Sequence, residues 1–159
     1  MINHFFNLNL AENFVIDLNI LEKNYLELQQ KFHPDQSLND LEKSIALNES
    51  YKILSNPISR AEHLLELKNI FINDDENSLR PSLETLNEVI ELQEKIENCQ
   101  NLAELSPLKN LLLEKIDESF LQFINNFNIK NFAKSAQDIM KIKYFKKTLE
   151  LIKNKSKAK

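Results

Sequence analysis

Tyr25-Leu26-Glu27-Leu28-Gln29-Gln30-Lys31-Phe32-His33-Pro34-Asp35 is the stretch on which the reading of this chain turns. Its first part belongs to a segment, 17–32, that repeats apolar residues at helical spacing: Leu18, Leu21, Tyr25, Leu28 and Phe32. A second segment, 40–55, carries a comparable stripe of Leu41, Ile45, Asn48, Tyr51 and Leu54. Pro34 cannot continue a helix, and it pushes His33 out of the helical region as well. The pattern predicts two helices joined by a rigid turn, with an imidazole and a carboxylate two residues apart at its tip. A hairpin needs neither group in order to fold. A binding site for another protein does.

The rest of the composition supports an all-helical chain. Its 159 residues suit one or two small domains, and 42% hydrophobic residues suffice for a core. There is no glycine. Strand-rich folds use glycine in hairpin turns, so its absence favours helices joined by Asn, Asp, Ser and Pro turns. It also excludes a glycine-rich phosphate loop. The net charge of −4 argues against nucleic acid as the main partner. The lysine-rich tail from Lys153 to Lys159 is expected to fray into solvent from about 154. A single cysteine, Cys99, rules out an internal disulfide and a cysteine-built zinc site, and suits a reducing compartment. No other His or Cys lies at metal spacing, so no cofactor is expected. The start of the chain lacks a signal peptide's basic and apolar regions, and no apolar run approaches a membrane span. A cytoplasmic location is expected.

Residues 1–16 hold Phe5, Phe6, Leu8, Leu10, Phe14 and Val15 without a clean period, which suggests a short helix or turn. Asp17 suits the N-cap of the helix through Phe32, and Asn39 or Asp40 that of the next. Pro57 suits the first turn of a helix reaching 67–70. The polar stretch 73–80 is read as a linker between a domain at 1–72 and another at 81–159. There Pro81 opens a helix to about Asn98. Ser106-Pro107 is read as the start of a second to about Phe127, and a third runs from about Ile129 to Lys153. Three long helices with short connections predict an antiparallel bundle.

The helix from Pro81 carries two apolar stripes. Thr85, Val89, Leu92 and Ile96 make an ordinary core stripe, and Leu83, Leu86 and Ile90 lie roughly 120° away. A terminal bundle helix needs one buried face. The second stripe, bordered by Glu91 and Glu94, therefore either serves a partner or is buried by a crossing helix.

The order Tyr25-x-x-Leu28-Gln29-x-x-x-His33-Pro34-Asp35 resembles the second helix and loop of a J-domain, the module that stimulates ATP hydrolysis by DnaK-type chaperones. The flanking order Asn48-x-x-Tyr51-x-x-Leu54-x-x-Pro57-x-x-Arg60-Ala61-x-x-Leu64-Leu65 is similar to one subfamily, the HscB co-chaperones of iron–sulfur cluster assembly. Glu91-Leu92-x-Glu94-x-Ile96-Glu97 and Lys141-x-Lys143-Tyr144-Phe145 resemble it too, so the likeness spans nearly the whole chain. It is to the bacterial type, without the cysteine-rich N-terminal segment of some eukaryotic relatives.

The resemblance implies a fold: a J-domain helical hairpin with accessory helices, then a three-helix bundle. It implies two partners, the DnaK-type chaperone HscA and the iron–sulfur scaffold protein IscU. Asp35 would present its carboxylate to the chaperone, His33 would fix local geometry, and Pro34 would stiffen the turn. Lys23, Gln30 and Lys31 would add contacts. The scaffold site would map to Leu86, Asn87, Ile90, Glu91 and Glu94, with Phe145 from the last helix. Hydrolysis would occur in the chaperone, so the chain would not itself be an enzyme. Two departures stand out. The helix before the loop carries Asp17, Glu22 and Glu27 beside Lys23 and Lys31 instead of a uniformly basic face, and Asn87 replaces an apolar residue. Arg60 stands at the family's Arg-Ala position and is either solvated or used in fixing the domains or the partner.

Other functions fit less well. A general J-protein for unfolded clients would carry a glycine/phenylalanine-rich linker or cysteine-repeat zinc domains, and this chain has neither. A small hydrolase using His33 with Asp35 would need a cleft and a nucleophile arrangement. His4 and His63 read as surface or packing residues, Cys99 as an inert or mildly exposed thiol.

Overall fold

The computed structural model describes residues 1–32, 37–72 and 79–158, and the described residues form seven helices and no strand. The chain divides into two compact units, Met1–Ile70 and Phe71–Lys159.

In the N-terminal unit, α1 (His4–Asn7), α2 (Leu18–Lys31), α3 (Leu38–Ser55) and α4 (Pro57–Glu66) surround one small core. The helices α2 and α3 form an antiparallel hairpin, and α1 and α4 pack on α3. Phe5, Leu8, Leu21, Leu47, Leu54, Ala61, Leu64 and Leu65 are buried. Each buried leucine contributes about 1.5–3 kcal/mol relative to an exposed one.

Side-chain caps start every helix. Asp17 Oδ1 accepts from Asn19 N (2.8 Å) and Ile20 N (3.4 Å), as its position predicts. Asn56 caps α4 with Pro57 in its first turn. The α3 cap differs from expectation. Ser37 holds it, accepting from Asp40 N at 3.1 Å, so Asn39 and Asp40 already lie in the first turn. The α3 core stripe differs too. Its buried residues are Ser44, Leu47, Ser50 and Leu54, whereas Leu41 and Ile45 are 40% and 58% exposed. Small residues won this face because α3 is approached closely from both sides. Ser50 Oγ meets His4 Nδ1 at 2.8 Å, and Ser44 Oγ donates to Gln29 Oε1 at 2.8 Å.

The C-terminal unit is a bundle of α5 (Leu83–Asn98), α6 (Leu102–Asn128) and α7 (Phe132–Lys157). The α6–α7 pairing is the most extensive, and α5 lies mainly against α7. Residues 73–78 of the expected linker lie outside the described residues. Its last residue, Arg80, is tied to the bundle, since Gln137 Nε2 donates to Arg80 O at 2.9 Å and Ser82 N donates to Gln137 Oε1 at 3.1 Å. Ser82 caps α5, so Pro81 precedes the helix instead of opening it.

Two further boundaries depart from the sequence reading. Helix α6 starts at Leu102 and runs through Pro107. Asn101 Oδ1 accepts from Glu104 N (3.0 Å), and Glu104 Oε2 accepts from Gln100 N (2.6 Å). This reciprocal cap nucleates the helix a turn early. Pro107 removes the amide that would bond Ala103 O, but both residues are exposed and water can serve that carbonyl. At the other end, α7 stays helical to Lys157 instead of fraying from 154. Lys155 Nζ donates to Ile96 O and Glu97 O, both at 2.7 Å, which ties the tail to the carbonyls ending α5, Ile96 O being shared with the Cys99 amide.

With no glycine available, three of the described residues take left-handed backbone: Asn9 (φ 54°), Asn69 (φ 62°) and Lys130 (φ 63°). Each sits one residue before an amide that bonds back five positions: Leu10 to Phe5, Ile70 to Leu65, Asn131 to Asn126. These are Schellman stops.

Candidate partner-binding surfaces

The first candidate surface lies at the α2–α3 end of the N-terminal unit. His33, Pro34 and Asp35 fall outside the described residues. Of their expected neighbours on α2, Lys23, Gln30 and Lys31 are all exposed, as are Glu22 and Glu27. The mixed charge read from the sequence is thus carried on the surface. Where α2 ends, Phe32 has Lys31 Nζ at 5.4 Å and, from α3, Lys43 Nζ at 4.6 Å from its ring centre.

One turn back from Phe32, the two helices are joined by the polar groups of Tyr25, Gln29 and Asn48, which the sequence reading placed in stripes and motifs without pairing them, and of Ser44, which it did not single out. Gln29 Nε2 donates to Asn48 Oδ1 (2.7 Å) and to Ser44 O (3.3 Å), and Ser44 Oγ donates to Gln29 Oε1. Tyr25 OH donates to the same Asn48 oxygen, and its ring stacks on Tyr51 with centres 4.3 Å apart. The available signal was a pair of i, i+4 polar positions on each helix, 25 with 29 and 44 with 48. Each bond of this kind stabilises by about 0.5–1.5 kcal/mol net.

Arg60 is neither solvated nor at a surface. Its guanidinium is buried, Nη1 donates to Leu54 O at 2.6 Å, and its Cζ lies 4.9 Å from the Phe14 ring centre. It closes the Leu54 carbonyl in the last turn of α3, at the break into α4. Burial lowers its pKa from the usual value.

The second candidate surface is α5. Thr85, Val89, Leu92 and Ile96 are buried. The other stripe lies open: Leu83 is 77% and Ile90 51% exposed, and Leu86 is half-buried. Asn87, Glu91 and Glu94 are exposed beside them. Five glutamates (84, 88, 91, 94 and 97) against Lys95 make the helix acidic. The arrangement suits an apolar partner patch with basic neighbours. Phe145 does not share this surface. It is only 1% exposed, in the core of the bundle, because α7 packs against both α5 and α6. Any effect on a partner would run through the packing it supplies. Behind α5, Lys115 bonds Glu88 and lies 5.9 Å from the Phe145 ring centre.

The remaining candidates are structural. His4 and His63 are buried against each other, ring centres 4.5 Å apart. Cys99 is buried, its Sγ 3.2 Å from Lys95 O. Among the described residues no group of three His, Cys, Asp or Glu could hold a metal ion, and no helix is long and apolar enough to cross a membrane.

A family model, the HSCB C-terminal oligomerisation domain, matches residues 82–153. A curated relative, the co-chaperone protein HscB homolog of Acinetobacter baylyi, is 31% identical over 150 residues, covering 92% of this chain and 86% of that protein. The chain belongs to the HscB co-chaperone family. Its fold agrees with solved HscB structures. The human co-chaperone HscB superposes with a TM-score of 0.84 at 26% identity, over 98% of this chain and 82% of that one. HscB from Vibrio cholerae gives 0.82 at 25%, over 99% of each. The all-helical architecture is therefore that of HscB, a J-domain followed by a helical bundle. Membership in the HscB family supports a co-chaperone role in iron–sulfur cluster biogenesis.

Proposed function

We propose that this HscB protein binds the iron–sulfur scaffold protein IscU through α5, presents it to the DnaK-type chaperone HscA, and stimulates that chaperone's ATPase through His33-Pro34-Asp35. The observation that carries the scaffold half is the open stripe of Leu83, Leu86 and Ile90. It lies on a helix whose opposite face is already buried. Glu91 and Glu94 border it and would orient a basic partner patch. Asn87 narrows the apolar area, and Phe145 acts from the core, so the contact set is Leu86, Asn87, Ile90, Glu91 and Glu94. The chaperone half rests on the family resemblance of the tip and on exposed Lys23, Gln30 and Lys31. The protein performs no chemistry of its own in this reading. We assign it to the cytoplasm, on its single buried cysteine and reducing-compartment composition.

Steady-state ATP hydrolysis by the cognate chaperone tests the proposal. The wild-type chain should accelerate hydrolysis, more so with scaffold present. His33→Gln or Asp35→Asn should abolish the acceleration while circular dichroism stays unchanged. Full stimulation by either folded variant would sink the chaperone half.

A further inference from the structure

We infer that the C-terminal unit pairs head-to-tail with a second copy of this chain, the open stripe of α5 in one copy lying in a basic groove between α6 and α7 of the next. What is assigned beyond the oligomerising character in the matched family's description is the pair of faces and the sense of the contact. The contact needs neither scaffold nor chaperone, so it stands or falls apart from the function proposed above.

Three observations carry it. First, α6 and α7 leave a groove of about 490 Å³ between them near the end of α7. Leu149 and Ile152 line it, with Lys109, Lys153 and Lys157 beside a single acid, Glu150. Residues 153 and 155 stand about 200° apart on a helix, so Lys155 turns to α5 while Lys153 turns to the groove on the other flank of α7. The groove and the open stripe of α5 therefore lie on different faces of the bundle. Second, the charges of the two faces match. Five glutamates stand against Lys95 on α5, and three lysines against Glu150 at the groove. Lys109, Lys153, Lys157, Glu91 and Glu94 are all exposed, and among the described residues none of them forms an ion pair. Their fields are left for a partner. Third, Leu83 and Ile90 stand two helical turns apart on one face of α5, 77% and 51% exposed. Apolar side chains at that spacing are the anchors by which a helix lies in a groove between two others.

The consequence is specific. A patch and its complement on different faces of one chain make a heterologous contact, which adds copies in a row unless the rotation closes a ring. One helix face in a groove buries less area than a stable interface, so the association is weak. It falls as salt screens the lysines from the glutamates.

Sedimentation equilibrium of the full-length chain tests it, at concentrations up to about 1 mM, the upper end of weak association. Wild type should form dimers and then larger species, and raising salt from about 0.05 M to about 0.5 M should weaken them several-fold. Leu83→Ala/Ile90→Ala removes the stripe and leaves the groove. Lys109→Glu/Lys153→Glu reverses the groove and leaves the stripe. Each double variant alone should raise the dissociation constant about tenfold. Mixed together they should pair with wild-type affinity and stop at the dimer, because only one competent stripe and one competent groove remain. A monomeric wild type at every concentration overturns the inference and leaves the groove to a different acidic partner. Association that salt leaves unchanged overturns it too. Loss in the stripe variant with full association of the groove variant means that stripe packs on stripe, which also overturns it, as does a mixture that fails to pair or grows past the dimer. If Lys109→Glu/Lys153→Glu loses its helical circular dichroism, Lys153→Gln/Lys157→Gln carries the same test with the same expected direction.

Discussion

His63 reaches 59 residues back along the chain to accept the backbone amide of His4 on its Nε2, at 3.0 Å. That amide starts α1 and has no partner within its own helix. The neutral ring must therefore carry its proton on Nδ1, which lies 3.5 Å from Glu66 Oε2. His4 in turn meets Ser50 through Nδ1. Burial, and then the neighbouring His63, lower the His4 pKa from its usual 6.5, against the opposing charges of Glu49 and Glu66. The folded state thus prefers neutral His4, and the unfolded chain takes up the proton first. This contribution to stability is complete above the unfolded pKa and is lost as pH falls through it toward the lower folded value. We expect the melting temperature of wild type to drop between about pH 7 and about pH 5.5 more than that of His4→Asn. Parallel pH profiles would show that His4 is not the responsive group. Little of this was legible beforehand. A histidine read from sequence carries no sign of which amide it will face, and Arg60 likewise gave no sign that it would end up buried on the end of α3.

At the scale of elements, local chemistry was the better guide. Asp17 caps the helix its position predicted, because an N-cap needs only a side chain two or three residues from its donors. Errors arose where two local signals competed. Asn101 with Glu104 prevailed over Ser106-Pro107, and Ser37 over Asn39 and Asp40. Lys130 shows what a glycine-free chain accepts at a helix stop. Its left-handed backbone costs roughly 1–2 kcal/mol, against about 0.5–1 kcal/mol of extra chain entropy for glycine. Lys130→Gly should therefore raise the melting temperature slightly, and a fall would mean the lysine side chain contributes more than its backbone costs. The open stripe of α5 gives a sharper test. Leu86→Ala with Ile90→Ala should weaken scaffold binding by about 1–2 kcal/mol per anchoring side chain. Truncating core residues would cost about 2–5 kcal/mol each in stability. A melting curve close to wild type with a shifted binding isotherm supports the surface reading. A collapse in melting temperature would place the partner site elsewhere.

Over the whole molecule, the chain forms two compact units, each with its own buried core. Residues 71–159, produced alone, should fold and bind the scaffold protein in titration calorimetry without stimulating the chaperone. Equal binding by residues 1–70 would put the site in the wrong unit. The sequence by itself determined the helical class, the split into a hairpin-bearing unit and a bundle, and the two-faced character of α5. Absent glycine, helical periodicity and turn residues are local properties, and they act before any long-range contact forms. Only the tertiary structure decided which side of α3 is core and that Phe145 is core instead of surface. It also decided that the lysine tail is held by the end of α5, and that Gln29 and Asn48 bridge α2 and α3. Each of these depends on which element arrives opposite a given side chain. One-dimensional periodicity marks the faces of a helix, but the neighbour packed against a face decides whether it is buried.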